Sequence, residues 1–342
     1  MKNNLLLIVC AMAFSLWNAQ PAGAEPRKVS NDFDGDGKTD VAVYYPASGQ
    51  WWVFLSGSMT VTNVTTQGGT NCLPAPGDYD GDGKTDFMVF DSTTGNWYGK
   101  LSDGREGMAT FGPGMWPVSA DYDGDRATDL GVYDPLTGMW SVYSLTRGWL
   151  GGGTWGYLGD FRPWDNPPMY TVLPMPFDYN QDGVDDFGYY YRGMSMEDSG
   201  WSIFYAGMGA EYYNWGSSGS LPAPGKYQVK MDAAPYGVCV YKIKAQELVK
   251  SAEWDIPYRT AFYMGVYGQT LPVCAGDYDG NGFDDNTVYN YVTGEWTIVY
   301  NTGGADVVGR EQVSGFFGGA GVVPANLYST IYKLARYSPK PW

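Results

Sequence analysis

The sequence predicts an all-β chain folded as a six-bladed β-propeller, each blade a four-stranded antiparallel sheet. Three observations lead to that expectation. An acidic nonapeptide, Asp-x-Asp-x-Asp-Gly-x-x-Asp or a near relative, recurs five times, starting at Asp32, Asp78, Asp121, Asp178 and Asp277, and a decayed sixth copy starts at Lys226. In four of these units a tryptophan follows the last loop aspartate at one constant interval, from Asp40 to Trp51, Asp86 to Trp97, Asp129 to Trp140 and Asp285 to Trp296. Composition supplies the third: 48 glycines, 29 tyrosines and 14 tryptophans with only 17% charged residues suit turns and aromatic-rich strands, and almost no stretch has helical periodicity.

Each unit runs in the same order. The acidic loop leads into an alternating strand such as residues 41–45, 130–133 or 287–289, then a Thr/Ser-Gly turn, then the tryptophan. Units join through an aromatic or polar residue, a glycine, a short linker and a proline, as from Phe111-Gly112 to Pro117, Trp215-Gly216 to Pro222 and Tyr267-Gly268 to Pro272. A repeat of about 48 residues holds four short strands, the size of one propeller blade. Units are placed near residues 26–71, 72–115, 116–172, 173–220, 221–270 and 271–323, with 324–342 as a closing segment and a degenerate seventh blade as the alternative. One departure is expected at 245–253, whose composition favours a short helix.

Charge excludes whole classes of function. The chain has 37 acidic residues against 21 basic ones, a net charge of -16, and no histidine. A nucleic-acid partner needs the opposite sign. Without imidazole there is no Ser-His-Asp or Cys-His catalysis and no histidine-ligated metal.

The amino terminus reads as an export signal over residues 1–24. Lys2 precedes an apolar run, residues 5–17, and Ala22-Gly23-Ala24 forms a small-residue cleavage site. That run is too short for a comfortable membrane span and no other segment approaches the required length, so the expectation is a single exported domain over 25–342, extracellular, on the cell surface or in the periplasm, and not an integral membrane protein. Export permits a disulfide; Cys72, Cys239 and Cys274 leave three pairings open.

The loop spacing suits a hard cation. Side chains at the first, third, fifth and ninth positions, with the seventh backbone carbonyl, can converge on one ion when the sixth residue is glycine. The candidate ligands are Asp32, Asp34, Asp36, Lys38 and Asp40; Asp78, Asp80, Asp82, Lys84 and Asp86; Asp121, Asp123, Asp125, Ala127 and Asp129; Asp178, Asn180, Asp182, Val184 and Asp186; and Asp277, Asp279, Asn281, Phe283 and Asp285, where Lys38, Lys84, Ala127, Val184 and Phe283 offer carbonyls. About five structural calcium ions follow. The twelfth position holds valine in the first three loops, not the bidentate glutamate of an EF-hand, and strands rather than helices flank the loops. Arg126 replaces the sixth-position glycine of the third loop, adding strain and positive charge. In the sixth copy Lys226 and Lys230 stand at the first and fifth positions, so no metal is expected there.

These loops, together with the junction Phe317-Gly318-Gly319-Ala320-Gly321, resemble the FG-GAP/VCBS repeat family, the calcium-loop propellers of integrin α-chain heads and many secreted bacterial proteins. The resemblance covers nearly all of the exported chain. It implies structural calcium on one face, ligands commonly bound on the other, and a propeller of six to eight blades.

Long loops are where a ligand is expected. The third unit is extended after its tryptophan and the fourth and fifth lengthen their second turns, which nominates Trp155, Asp160, Arg162, Trp164, Asp165, Tyr170 and Arg192, aromatics beside charged groups that suit sugar stacking. The functional expectation is a binding or adhesion module for an extracellular glycan or protein. The alternatives are an extracellular carbohydrate lyase or hydrolase using Asp160 or Asp165 with Tyr170 and Arg162, and a component of a surface fibre or layer. No sialidase Asp-box or other catalytic signature is present, so no catalytic residue is assigned.

Overall fold

The computed structural model describes residues 29–156, 171–192, 199–205, 208–217, 220–227, 237–246, 249–255, 262–266, 269–302, 311–319 and 321–325. The export-signal segment lies outside them. The fold is all-β, without helix among the described residues, and therefore without a helix long and apolar enough to cross a membrane.

Among the described residues six four-stranded antiparallel sheets form, arranged as propeller blades, and five of them begin with a strand that runs into an acidic loop or its decayed copy. In the second sheet Cys72–Pro74, Phe87–Asp91, Asn96–Lys100 and Glu106–Thr110 lie side by side in chain order, the pattern expected of consecutive hairpins. The first sheet is built from both ends of the described chain, since Val323–Pro324 pairs with Val41–Tyr45 through Val43 and Tyr44, and the amide of Ala325 donates to the carbonyl of Ala42 at 2.9 Å. The segment that follows the last blade thus supplies the first blade with its innermost strand.

The second strand of a blade is buried nearly throughout, as in Phe87–Asp91, while the third alternates. Along Gln50–Leu55, Trp51 and Val53 are buried while their neighbours are not, and the outermost strands, such as Glu106–Thr110, are mostly exposed. A large aromatic at the same place in the third strand of every blade fills the space toward the next one: Trp51, Trp97, Trp140, Trp201, Trp254 and Trp296 are all buried. Each except Trp97 packs on a tyrosine of the preceding strand (Tyr44, Tyr133, Tyr190, Tyr241, Tyr289) at 5.0 to 5.7 Å between ring centroids, and Trp97 packs likewise on Phe90. The tyrosine hydroxyls reach the inter-blade junctions: those of Tyr44 and Tyr133 donate to the carbonyls of Gln67 and Gly156.

The structure differs from the expected helix at 245–253. Val240–Gln246 and Val249–Asp255 form a seven-pair hairpin turning between Gln246 and Val249. Local helix preference is worth only tenths of a kcal/mol per residue, whereas two strands already flanked by Ser220–Pro222 and Phe262–Val266 satisfy their backbone groups by pairing. Cys72 and Cys239 are buried, and neither forms a disulfide.

The aromatic column makes a direct prediction. Trp140 sits between Tyr133 and Phe187 of the next blade and donates from Nε1 to the carbonyl of Trp155. Trp140→Ala is expected to cost about 3–5 kcal/mol, seen as a lower guanidinium midpoint with the far-ultraviolet spectrum retained in buffer.

Candidate metal centres

Five acidic loops share one scaffold of backbone-to-carboxylate hydrogen bonds. The first-position carboxylate accepts from the sixth-position amide: Asp32 from Gly37 at 2.8 Å, Asp78 from Gly83 at 3.0 Å, Asp121 from Arg126 at 2.7 Å, Asp178 from Gly183 at 3.0 Å and Asp277 from Gly282 at 2.7 Å. The fifth-position side chain accepts from the seventh amide, as Asp82 does from Lys84 at 2.8 Å and Asn281 from Phe283 at 2.9 Å. The ninth-position carboxylate accepts from the second amide, as Asp40 does from Phe33 at 2.8 Å and Asp285 from Tyr278 at 2.8 Å. These bonds curl the loop until its carboxylates face inward.

Two left-handed residues close that curl. Gly37, Gly83, Gly183 and Gly282 at the sixth position have φ of 85° to 93°, where a side chain is disfavoured. Arg126 takes φ 73° in the third loop, the strain its sequence foretold, and Gln181 takes φ 62° in the fourth, where the other loops place a glycine.

The convergence expected from spacing is met by threes. One carboxylate oxygen from each residue lies within 4.8 Å of the others in Asp32, Asp34 and Asp36; in Asp78, Asp80 and Asp86; in Asp121, Asp123 and Asp129; and in Asp277, Asp279 and Asp285. The fifth-position aspartates of the first three loops each accept from a hydroxyl of the third turn, Ser56 Oγ donating to Asp36 at 3.1 Å, Ser102 Oγ to Asp82 at 2.5 Å, and Thr146 to Asp125; Asp36 joins its cluster, whereas Asp82 and Asp125 do not. In the fourth loop the Asn180 amide group donates to Asp182 at 3.0 Å, and no three acidic side chains come that close. Basic residues of the same third turns approach from outside, Arg105 to Asp80 at 2.7 Å and Arg147 to Asp123 at 3.5 Å. Sequence reasoning missed Arg105 and Arg147, although Ser/Thr with a nearby Arg recurs after the register tryptophan in both units.

Whether a cation fits can be judged from acceptors that lack donors. Asp80 Oδ1 and Asp129 Oδ1 are buried without a hydrogen-bond donor, and Asp123 Oδ2, likewise without one, has the Arg147 guanidinium 3.5 Å away; all three lie within the clusters of the second and third loops. A buried carboxylate oxygen without a donor carries a large desolvation penalty, and an oxygen-ligated cation would remove it. The donor set is entirely oxygen, which fits a hard ion.

The loops are also joined to each other. The eighth-position amide of each loop donates to the first-position carbonyl of the neighbouring one: Thr39 to Asp277 at 2.8 Å, Thr85 to Asp32 at 2.7 Å, Thr128 to Asp78 at 2.6 Å, Asp185 to Asp121 at 2.7 Å and Asp284 to Lys226 at 3.0 Å. Where the eighth residue is aspartate its carboxylate returns the bond, Asp185 accepting from the amide of Asp121 at 2.8 Å and Asp284 from that of Lys226 at 2.6 Å. Seventh-position side chains lie over the fourth-position glycine next door, Lys38 over Gly280, Lys84 over Gly35 and Val184 over Gly124. The decayed loop keeps its place in this chain through Lys226, whose ammonium stands 5.5 Å from the Phe283 ring centroid.

Trp155 and Arg192 are the two ligand-site candidates among the described residues; Asp160, Arg162, Trp164, Asp165 and Tyr170 lie outside them. Trp155 packs on Tyr189, Phe204 and Tyr212 of the fourth blade at 6.0, 5.4 and 6.4 Å, and so occupies a blade junction. Arg192 ends Phe187–Arg192 opposite Thr171. The structure does not bring these two residues into one described site.

Residues 32–89, from the first acidic loop to the strand after the second, match the FG-GAP-like repeat family. The chain carries an FG-GAP-like repeat. No curated protein sequence matches the chain. Among solved structures, it is similar to a lectin of Agrocybe aegerita that recognises non-reducing terminal N-acetylglucosamine (13% identity, 84% of this chain and 79% of that one, TM-score 0.48). Further similarities are to streptogramin B lyase (11% identity, 70% and 69% covered, TM-score 0.37) and to a functionally unknown protein of Desulfotomaculum acetoxidans (11% identity, 80% and 79% covered, TM-score 0.39).

Burial, and secondarily the neighbouring loop carboxylates, push the ninth-position aspartates up, Asp129 to about 7, Asp285 to about 8 and Asp186 to about 9. Burial also raises Asp40 and Asp86 to about 6, against the amides that donate to them. An unfolded aspartate titrates near 3.9, so between these values the metal-free folded protein holds protons that the unfolded chain has released. Their contribution to stability is complete below about pH 4 and is lost as pH rises through 6 to 9. In chelator, the melting temperature is therefore expected to fall from pH 5.5 to pH 8.5, and a loop-bound divalent cation to suppress that fall; one slope with and without the cation would contradict the assignment.

Proposed function

We propose that the protein is an exported propeller, one domain over residues 25–342, whose acidic loops hold about five structural calcium ions and which serves as a binding or adhesion module for an extracellular glycan or protein. The observation that carries this reading is the chain of interlocked acidic loops with buried carboxylate oxygens lacking donors. Oxygen-only ligands on a flexible loop favour calcium over magnesium, which demands a stricter octahedral geometry. Calcium would be held by the converging carboxylates of the first, second, third and sixth blades, and by Asp178, Asn180, Asp182 and Asp186 in the fourth. Bound there, it would offset the mutual repulsion of carboxylates that the fold has desolvated.

Binding is favoured over catalysis for physical reasons. The chain has no histidine, and the carboxylates with the most displaced titration are tied to backbone amides inside the loops. A rigid ring carrying long loops in its third to fifth blades suits recognition. An exported compartment is supported by the sequence of residues 1–24 alone.

Two measurements test the reading. Calcium is expected to raise the melting temperature in a concentration-dependent way and chelator to reverse it; a melting temperature indifferent to both removes the metal assignment. Immobilised oligosaccharides and extracellular proteins are expected to retain the calcium-loaded protein without turnover. Release of sugars or a loss of polysaccharide viscosity, abolished by Asp165→Asn, would overturn the binding role in favour of an enzyme.

A further inference from the structure

At four blade interfaces the residue after a ninth-position aspartate stands beside the tryptophan of the preceding blade, and its size differs from one to the next. Phe87 fills that position against Trp51 with ring centroids 5.6 Å apart and planes at 76°, and Phe187 against Trp140 at 5.4 Å and 80°. Leu130 does the same beside Trp97. Where the first blade meets the sixth, the equivalent residue is Val41, beside Trp296. Valine leaves a phenyl ring's worth of space unfilled, and a cavity of about 510 Å³ opens there. Its walls come from Trp296, Ile298 and Phe316 of the sixth blade and Val41, Phe54 and Met59 of the first.

The lining is apolar with one charged residue. Lys38 is the one charged side chain in it, no carboxylate lines it, and Thr39, Ser56, Ser314, Tyr278 and Tyr300 carry hydroxyls. Cavities of this size and character accept small ligands with one oriented polar group. Phe316 and Met59 at its edge are 75% and 71% exposed, so the opening faces solvent.

We infer that the cleft between the first and sixth blades is a ligand site for a small aryl group carrying an anionic substituent: the ring occupies the place that Phe87 and Phe187 fill at the other interfaces, and the anion meets Lys38. The missing ring is defined by the tryptophan wall, which prefers an aromatic partner edge-on, as at the two filled interfaces. The sign of the substituent follows from the single ammonium in a lining without carboxylates. This site borders the first acidic loop through Lys38 and Thr39, and its lining includes none of the long-loop candidates.

Two dyes probe it on the full chain in calcium-containing buffer: 8-anilinonaphthalene-1-sulfonate, an anionic aryl, and N-phenyl-1-naphthylamine, its uncharged counterpart. Val41→Phe, which supplies the missing ring, is expected to weaken both dyes at least about tenfold, an energy of about 1.4 kcal/mol, and to raise the melting temperature. Lys38→Met keeps the backbone carbonyl and the packing over Gly280, and is expected to weaken the sulfonate severalfold while leaving the neutral dye within about twofold, as for a single lost charge contact. Undiminished binding of both dyes to Val41→Phe would overturn the site; equal loss of both dyes in Lys38→Met would overturn the anionic requirement. Should Val41→Phe misfold, Phe316→Ser decides, since that residue is exposed and its loss must also weaken both dyes.

Discussion

Buried negative charge, held by backbone amides, is the constraint on which the molecule turns. The ninth-position aspartate of each acidic loop is almost fully withdrawn from water, and in the first, second and sixth blades both of its oxygens are directed: Asp86 accepts from Tyr79 at the start of its own loop and from Ser102 in the turn two strands away. Asp40 and Asp285 do the same with Phe33 and Ser56, and with Tyr278 and Asn301. One carboxylate thus fastens the inner hairpin of a blade to its outer hairpin. Such a group costs several kcal/mol to desolvate when unpaired, so loop and turn are coupled: neither can leave without exposing the other's unmet donors.

From this local fastening the ring is assembled by repetition. Among the described residues five first-position carbonyls each accept from the eighth amide of a neighbouring loop, so the same hydrogen bond passes from blade to blade, including from the sixth to the first between Thr39 and Asp277. On the outer side the tryptophan of one blade meets the residue after the ninth aspartate of the next. Polar bonds near the loops set the order and orientation of the blades, and aromatic packing fills the space between them. A side chain smaller than the pattern requires, as at Val41, leaves a cavity rather than a collapse because the surrounding backbone is fixed at both ends by those bonds.

Much of this was legible in the residues. The nonapeptide spacing identified the loops, the constant interval to tryptophan identified the third strand, and Arg126 marked the strained loop before its φ was known. The hairpin at Val240–Asp255 was not legible, because a stretch rich in Ala, Lys and Glu carries weak helical preference and only pairing with strands distant in sequence overrides it. Nor was the pairing of Asp82 and Asp125 with Ser102 and Thr146, since those partners stand some twenty residues further along and reach the loops only once the third turn folds back.

The sequence by itself determined the repeated blade, the acidic loops with their oxygen donors and the exclusion of imidazole chemistry, because these depend on residue identity at short, fixed intervals. Tertiary structure decided which carboxylates meet in threes, how one loop's amide finds the next loop's carbonyl, and where a tryptophan lacks its partner ring. Those outcomes depend on distances between blades, and such distances are set by the closing of the whole ring rather than by any one repeat.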